Sequence, residues 1–600
     1  MMARKEVEPE ASPHPARLRA PIGTQHKIPR QPLRKATPAH PSSDPSVEEA
    51  RRAEELKTLP ERIKTSFKTW THGAKPFQLR AMEAQVLRKD VLIQAATGAG
   101  KTGIAAGPHL LECNAGKATL VISPLIALHE EQVSTFKEEF GLRAIAINSA
   151  HGGCSKSQMK RISQGQWQVV ILSPEMLQSR RFTEGVLRSR EFGPRCLSVF
   201  IDEAHCVSHW GASFRKKYGT IGIIRAFLPR STPFVAVSAT LTPRVRRDVI
   251  SKLQYDPANY LFIDLGNERP AVSQIVRAIE HPLNTYADLD FVVPQDVQVI
   301  TNIPKTFLYT DDIPGGSAIV DYLNARVPES FRNFGLIRPY NAAMSSKYRK
   351  NAMTLFKAGI IRVLVSTDAA GMGCNISDVD MVVQWKTPTS LSSWFQRAGR
   401  AARGDGRTGL AVLLVEKSSF AVSPNPASVD TTPVPNPRGR RGARGGRGGR
   451  AGWGQQGGHA NRGQARPRKS LEDKAYAIEH GQKRGDSSGK QDARPQTRLA
   501  PTLSDDSLGE GLYAYIQTTD CRRKIMRQAF GTSVCSLAES DVPSAPCCDL
   551  CNEELFDMVR GGQPPKVTRK PRTVKKHDID IEVRDHLYEW RRQIKKLCYP

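Results

Sequence analysis

Short apolar runs, each closing on small or polar residues, recur through the middle of this chain. The first set reads Val91–Ile93, Ala118–Ile122, Val169–Leu172, Leu197–Ile201 and Phe234–Val237. The second reads Thr306–Tyr309, Val363–Ser366, Met381–Gln384 and Leu410–Val415. Stretches able to form helices separate them, among them one running to Leu87 and one from Gly103 to Cys113. Apolar strands alternating with helices predict parallel sheets. The pattern breaks after Val237 and resumes past Ala271, so two α/β units are expected. Sheets of this kind hold their ligands at the carboxyl ends of their strands.

Outside that span the pattern disappears. Residues 1–58 are rich in Pro, Ala, Arg and Lys, and read as a disordered basic tail. After Lys417 the sequence turns Pro-rich and then runs into a tract from Arg438 to Arg450 made almost wholly of Arg and Gly. Glycine denies this tract a stable fold while the arginines carry charge, so disorder is expected to about residue 505. Apolar periodicity returns at Leu512–Ile516.

Composition sharpens this outline. The 600 residues carry 88 Lys and Arg against 59 Asp and Glu, a net charge of +29, which favours a polyanionic partner. Of the 11 cysteines, five fall between Cys521 and Cys551. Scattered thiols plus one cluster fit a reducing compartment with a single metal site better than a disulfide framework. No leader-like apolar segment and no membrane-length run is present, so a soluble intracellular protein is expected, and the basic tracts fit a nucleus.

The chemistry gathers at strand ends. Ala95-Ala96-Thr97-Gly98-Ala99-Gly100-Lys101-Thr102 lies between an apolar run and a helical stretch, the setting of a phosphate-binding loop. Gly98 and Gly100 would let backbone N–H groups turn toward phosphate oxygens, with Thr97 among the residues at the nucleotide. Lys101 would reach the β- and γ-phosphates of ATP, and the Thr102 hydroxyl would ligate Mg²⁺. Upstream, the Gln78 carboxamide can both donate to and accept from an adenine edge. Asp202 and Glu203 close the run Leu197–Ile201. Adjacent carboxylates there are costly unless they hold something positive, so Asp202 would hold Mg²⁺ and Glu203 would orient and deprotonate the attacking water. Trp210 and Phe214, with Arg215 beside them, suit stacking of single-stranded bases. The hydroxyls of Ser238 and Thr240 are placed to bond the Asp202–Glu203 region and relay its state. In the second unit Arg400 and Arg403 lie three apart, a spacing that can share a helix face; such a pair is ordinarily a solvated face or a phosphate-backbone contact but can also reach across a cleft to a γ-phosphate. Cys548 and Cys551 form a metal knuckle that Cys521 and Cys535 could close into a tetrahedron, with Cys547 a rival to Cys548.

These motifs resemble the RecQ family of superfamily 2 helicases. The run from Ser123 to Val133, "SPLIALHEEQV", resembles its motif after the phosphate loop, and "DEAHCVSHWGASFR" from Asp202 resembles its acidic motif fused to an aromatic-rich loop. The likeness extends from about Lys75 to Glu416, and the Cys521-Arg522-Arg523 start and Cys548-Asp549-Leu550-Cys551 end resemble the family's zinc-binding subdomain. Departures are His209, where Gln is usual, Lys75, where Arg is usual beside the adenine, and Ala74, which replaces an aromatic. The resemblance implies that Lys75 joins Gln78 at the nucleotide and that Arg400 and Arg403 act as arginine fingers. It also implies that His205, Ser238, Thr240, Asp368, Gly371 and Gln396 couple hydrolysis to strand movement.

The expected architecture is two tandem RecA-like parallel-sheet domains, a small helical zinc-binding subdomain and disordered basic segments. The boundaries are a tail 1–58, an ATP-binding domain 59–265, a second domain 266–418, an insertion 419–505, a zinc subdomain 506–560 and a basic tail 561–600. No stretch is assignable to the family's winged-helix or C-terminal helical domains. The expected function is an ATP- and Mg²⁺-dependent 3′-to-5′ DNA helicase with structural Zn²⁺, acting on single-stranded and tailed or forked duplex DNA in repair or recombination. The Arg/Gly tract adds RNA as an expected partner; no membrane is involved. The alternatives are a translocase or RNA helicase with weak unwinding, and a nucleic-acid-binding protein with a vestigial ATPase.

Overall fold

Strands covered by helices on both faces must be apolar along their whole length. That is how the runs above are used. The first sheet holds β1 (Asp90–Gln94), β2 (Ala118–Ile122), β3 (Ala144–Ile147), β4 (Val169–Leu172), β5 (Cys196–Ile201), β6 (Phe234–Ser238) and β7 (Tyr260–Asp264), and β2, β4, β5 and β6 are buried at every position. Its order is β3-β4-β2-β5-β6-β1-β7, all parallel. Because β6 lies between β5 and β1, the segments leaving these three strands emerge side by side at one edge.

This is a computed structural model. It describes residues 45–561 except 125, 149–152, 210–214, 369–375, 405, 423, 425–502, 505–506 and 533–544, and beyond them only 586 and 589. Trp210, Phe214, Gly371, Cys535 and the Arg/Gly tract therefore lie outside the described residues. Residues 51–600 form one compact unit that contains both sheets; of the other, residues 1–50, only the start of a helix is described.

The second sheet holds β8 (Val272–Ala278), β9 (Thr306–Tyr309), β10 (Ile337–Tyr340), β11 (Val363–Ser366), β12 (Met381–Trp385) and β13 (Gly409–Val415). Its order is β10-β11-β9-β12-β13-β8, again all parallel. Side-chain oxygens start its helices: Asp312 accepts from the Gly315 amide, Ser345 from Tyr348 and Ser390 from Ser393. Apolar side chains fill both faces of each sheet.

The C-terminal helices Leu512–Gln517 and Arg522–Phe530 have no core of their own. Leu512, Tyr515, Ile516, Ile525, Met526 and Phe530 join the cluster on one face of the second sheet, around Trp394 and Phe395. Polar contacts tie the same helices to the connector between the sheets. Arg523 donates to the Pro270 and Val272 carbonyls at 3.2 and 3.1 Å, and Arg527 to Glu268 at 2.8 Å.

Three local expectations are corrected. Residues 45–56 form a helix, Pro45–Leu56, within the supposed disordered tail; Glu, Ala, Arg and Leu are strong helix formers, and an Arg51–Glu55 pair one turn apart adds to them. The helix after the phosphate loop is one turn, Gly103–Ala106, before Pro108 turns the chain into short 3₁₀ segments. Arg400 and Arg403 do not share a helix face. Helix Leu391–Ala398 ends at Gly399, and both arginines sit on the turn beyond it, where Ala402 is left-handed with φ +49°.

Candidate nucleotide cleft and cysteine cluster

The phosphate loop leaves β1 and bends at Gly98 and Gly100, whose φ values of +84° and +78° exclude most side chains. Lys101 points back along it, its Nζ donating to the Ala95 and Ala96 carbonyls at 3.0 and 2.8 Å. Burial lowers the Lys101 pKa, while the carboxylates of Glu203 and Asp202 pull the other way and Arg403 and Arg400 add to the lowering. Charges from both sheets thus converge on this ammonium.

Asp202 and Glu203 stand where β5 ends. Glu203 is left-handed, with φ +49°, a conformation a non-glycine residue holds only when its surroundings enforce it. Its amide donates to Asp202 Oδ1 at 3.0 Å, and Gln132 Nε2 donates to Asp202 Oδ2 at 3.3 Å. Burial, with the Glu203 charge beside it, pushes the Asp202 carboxyl up to about 7. A half-buried acid pair disfavouring its own second charge is an environment made for a cation.

Across the cleft, Arg400 and Arg403 face these groups. Lys101, Thr102, Asp202, Glu203, Arg400 and Arg403 line one cavity of about 290 Å³. Ammonium, hydroxyl, paired carboxylates and two guanidinium groups surround a space with the chemistry to hold a polyphosphate and stabilise charge developing on it.

Four of the residues expected to couple hydrolysis to movement, His205, Ser238, Thr240 and Gln396, form a bridge between the sheets. Gln396, on helix Leu391–Ala398, places Nε2 2.8 Å from His205 Nε2 and 3.1 Å from Thr240 Oγ1. His205 Nδ1 lies 2.9 Å from Ser238 Oγ. Burial holds the His205 pKa down to about 4, so the ring is neutral at neutral pH. With Gln396 donating to Nε2, the ring's proton sits on Nδ1 and is donated to Ser238. Asp368 accepts two hydrogen bonds from Arg397, at 3.0 and 2.7 Å; the same guanidinium lies 2.9 Å from Asp311.

Other sequence candidates take less open positions. Gln78 is buried, accepting from the Lys75 amide at 2.7 Å and donating to the Ala99 and Gly100 carbonyls at 3.2 and 3.1 Å. It braces the phosphate loop, and neither it nor the exposed Lys75 lines the cavity. Arg215 is held by both oxygens of Glu175, at 2.8 and 2.6 Å, and by the Pro124 carbonyl, so it anchors the end of the aromatic-rich loop. His209, at that loop's other end, lies 2.6 Å from Glu510, next to the C-terminal helices.

Trp70 was missed. It lines the cavity, and a Cβ on Gly103 would meet its ring at 2.2 Å, so the aromatic lies flat against the start of the loop helix. Its place eight residues before Gln78 was the available signal.

A second cluster lies on the C-terminal segment. The sulfurs of Cys521, Cys547, Cys548 and Cys551 all lie within 4.8 Å of one another, with Cys521 and Cys547 at 3.5 Å. A tetrahedron with metal–sulfur bonds of about 2.3 Å has edges of about 3.8 Å, so the cluster has the right size. Hydrogen bonds from Cys547 and Cys548 drive the Cys521 thiol far below its usual pKa, favouring a thiolate. Cys547 and Cys548 are thus both in the set rather than alternatives. Beneath them Arg522 and Asp549, each fully buried, pair side by side, and Arg522 also donates to the Tyr515 carbonyl at 2.6 Å.

Comparison with known proteins places this geometry. Residues 75–249 match the model of the DEAD/DEAH box helicase domain, and residues 321–405 that of the helicase conserved C-terminal domain. The chain is 30% identical over 352 residues to the ATP-dependent DNA helicase RecQ of Pasteurella multocida, covering 57% of this chain and 50% of that protein. It is 29% identical over 343 residues to the ATP-dependent DNA helicase Q1 of Rattus norvegicus, covering 56% and 51%. The chain thus spans about half the length of the curated relatives it matches. Among solved structures, the helicase MrfA bound to DNA and AMPPNP aligns with a TM-score of 0.48 at 19% identity, over 60% of this chain and 51% of that one.

Proposed function

From a chain whose two-sheet core belongs to the RecQ family of superfamily 2 helicases, we propose an ATP-dependent DNA helicase that moves 3′ to 5′ on single-stranded DNA and separates duplex ahead of it. The observation that carries this reading is one cavity lined by Lys101, Thr102, Asp202 and Glu203 from one sheet and by Arg400 and Arg403 from the other.

Each residue has a part in phosphoryl transfer to water. The loop amides around Gly98 and Gly100 cradle phosphate oxygens, and Lys101 exchanges its two carbonyl partners for the β- and γ-phosphates. Thr102 and Asp202 would hold Mg²⁺, which when bound supplies positive charge to the same oxygens. Glu203 orients the attacking water and takes its proton. Arg400 and Arg403 stabilise the charge that spreads over the γ-phosphoryl group in the transition state. Because these groups come from two sheets, phosphate draws the lobes together and its release lets them part. Backbone contacts from both lobes to one strand convert that cycle into steps. Trp210 and Phe214 would stack on bases and report occupancy through His205 and Gln396.

Cys521, Cys547, Cys548 and Cys551 would hold Zn²⁺, which when bound supplies folding free energy to the C-terminal helices and no chemistry at the phosphates. Nuclear work in DNA repair or recombination accords with the basic composition and with the family.

The test is strand separation on matched tailed DNA and RNA duplexes, with ATP hydrolysis measured in the same tubes. Unwinding of 3′-tailed DNA is expected, with hydrolysis at least 100-fold lower in Glu203→Gln, on the order of the loss for a missing general base. Hydrolysis without separation would make the protein a translocase. A preference for RNA would move it out of this role, and an unaffected Glu203→Gln would remove the catalytic assignment.

A further inference from the structure

The connector between the sheets, residues 265–271, carries a single arginine, half-buried. Arg269 has no carboxylate partner among the described residues. Its guanidinium instead donates to four main-chain carbonyls. Nη1 reaches Thr97 O and Gly399 O, both at 3.1 Å, and Nη2 reaches Ala401 O at 3.2 Å and Ala402 O at 2.7 Å. Thr97 belongs to the phosphate loop. Gly399, Ala401 and Ala402 belong to the turn that carries Arg400 and Arg403. These three carbonyls follow the end of helix Leu391–Ala398, where no further helical turn supplies amide donors and where a cation is favoured by the helix dipole.

The seam beneath is tight. Thr97 Oγ1 donates to the Gly399 carbonyl at 2.9 Å, and a Cβ on Gly399 would meet Thr97 Oγ1 at 2.5 Å. Arg269 is not among the residues lining the phosphate cavity; it lines a smaller neighbouring one with Thr97, Thr240, Asn267 and Gly399. It therefore touches neither the phosphates nor the attacking water, yet it holds the backbone on both sides of them.

We propose that Arg269 is a positioning residue for hydrolysis: from the connector it clasps the phosphate loop to the finger-bearing turn and sets the distance from the γ-phosphate site to Arg400 and Arg403. This rests on the ATPase reading above. The guanidinium is suited to the task because it offers five donors in a rigid plane, enough for four acceptors held apart. A lysine would bring one mobile ammonium and could not span both sides. Three acceptors lie on the turn and one on the loop. Opening the cleft therefore breaks the Thr97 bond first and leaves the turn gripped.

The test uses the full chain with Arg269→Ala and Arg269→Lys, each also placed on Arg403→Ala. Arg269→Ala is expected to lower DNA-stimulated kcat by roughly 10–100-fold, with KM for ATP within about threefold, the pattern of an interaction realised in the transition state. Arg269→Lys should recover part of the loss. On Arg403→Ala, adding Arg269→Ala should cost little more, since both changes disable the same finger. Amide hydrogen exchange without nucleotide should quicken in both the phosphate loop and residues 399–403. Equal fold-losses in the two backgrounds, or unchanged exchange at both segments in folded Arg269→Ala, would overturn the clasp. A wild-type chain that hydrolyses no ATP would refute the ATPase reading instead, and exchange would still decide whether Arg269 joins loop to turn.

Discussion

Replacing Gln396 by alanine removes a side chain that joins the second sheet to both His205 and Thr240. The lost contacts are one hydrogen bond of 2.8 Å to His205 Nε2 and one of 3.1 Å to Thr240 Oγ1. Each net bond is worth about 0.5–1.5 kcal/mol, so the bridge contributes roughly 1–3 kcal/mol to the closed arrangement, or about a 5–150-fold change in its population. In the proposed mechanism hydrolysis needs that arrangement, because Arg400 and Arg403 would reach the phosphates only across the cleft. At saturating ATP and single-stranded DNA, kcat for Gln396→Ala should fall within that range while ATP affinity changes little. Gln396→Glu gives a sharper result. His205 presents Nε2 as an acceptor because burial holds its pKa down to about 4. A carboxylate facing that nitrogen favours protonation and raises the pKa. Gln396→Glu should therefore be weakest near pH 8 and recover toward pH 6, where wild type gains nothing. A Gln396→Ala enzyme within twofold of wild type, or a Gln396→Glu profile parallel to wild type, would refute the bridge as the coupling element.

Arg522→Ala should destabilise the chain by about 3–5 kcal/mol in denaturant unfolding, because it leaves Asp549 charged and fully buried without its partner; Arg522→Met with Asp549→Leu should recover much of this. Metal analysis of the purified chain should find about one zinc, lost with a chelator together with a drop in melting temperature, and Cys548→Ser should neither bind the metal nor gain stability from it. His109 is buried against Thr119 Oγ1 at 2.9 Å, and burial holds its pKa down to about 4 against about 6.5 unfolded. The unfolded chain binds the extra proton between those values. Stability is therefore fully present above about pH 6.5 and falls by up to roughly 3 kcal/mol as pH drops toward 4; His109→Gln should flatten that part of the unfolding-versus-pH curve.

Much of the cleft was legible in the chain because its parts are local. A phosphate loop is a strand, a turn that needs glycine and a helix start, all within a dozen residues, and Asp202 and Glu203 directly follow an apolar strand. Runs such as Ala118–Ile122, Val169–Leu172 and Thr306–Tyr309 became strands with those bounds, since burial on both faces leaves no polar interruption to blur the ends. Other partners are set by neighbours in space that local pattern does not mark. The Gln78 amide reaches the carbonyls of Ala99 and Gly100. Arg215 is held in a bidentate grip by Glu175, forty residues earlier.

What sequence alone determined about this protein is the chemistry and its division between two α/β units: lysine, threonine and paired acids on one, two arginines on the other, and a cysteine cluster after a basic tract. The tertiary structure alone decided how those sets meet. Strand order placed β6 between β5 and β1 and so brought Ser238 against His205, with Thr240 within reach of the same Gln396 amide. The turn after Gly399, rather than a helix face, carries the arginines, and Cys547 lies within metal-binding distance of Cys521. Arg269 shows the reason most plainly. Its four acceptors are backbone carbonyls, which every residue possesses, so nothing in the side-chain pattern marks them until the fold puts them within 3.2 Å of one guanidinium.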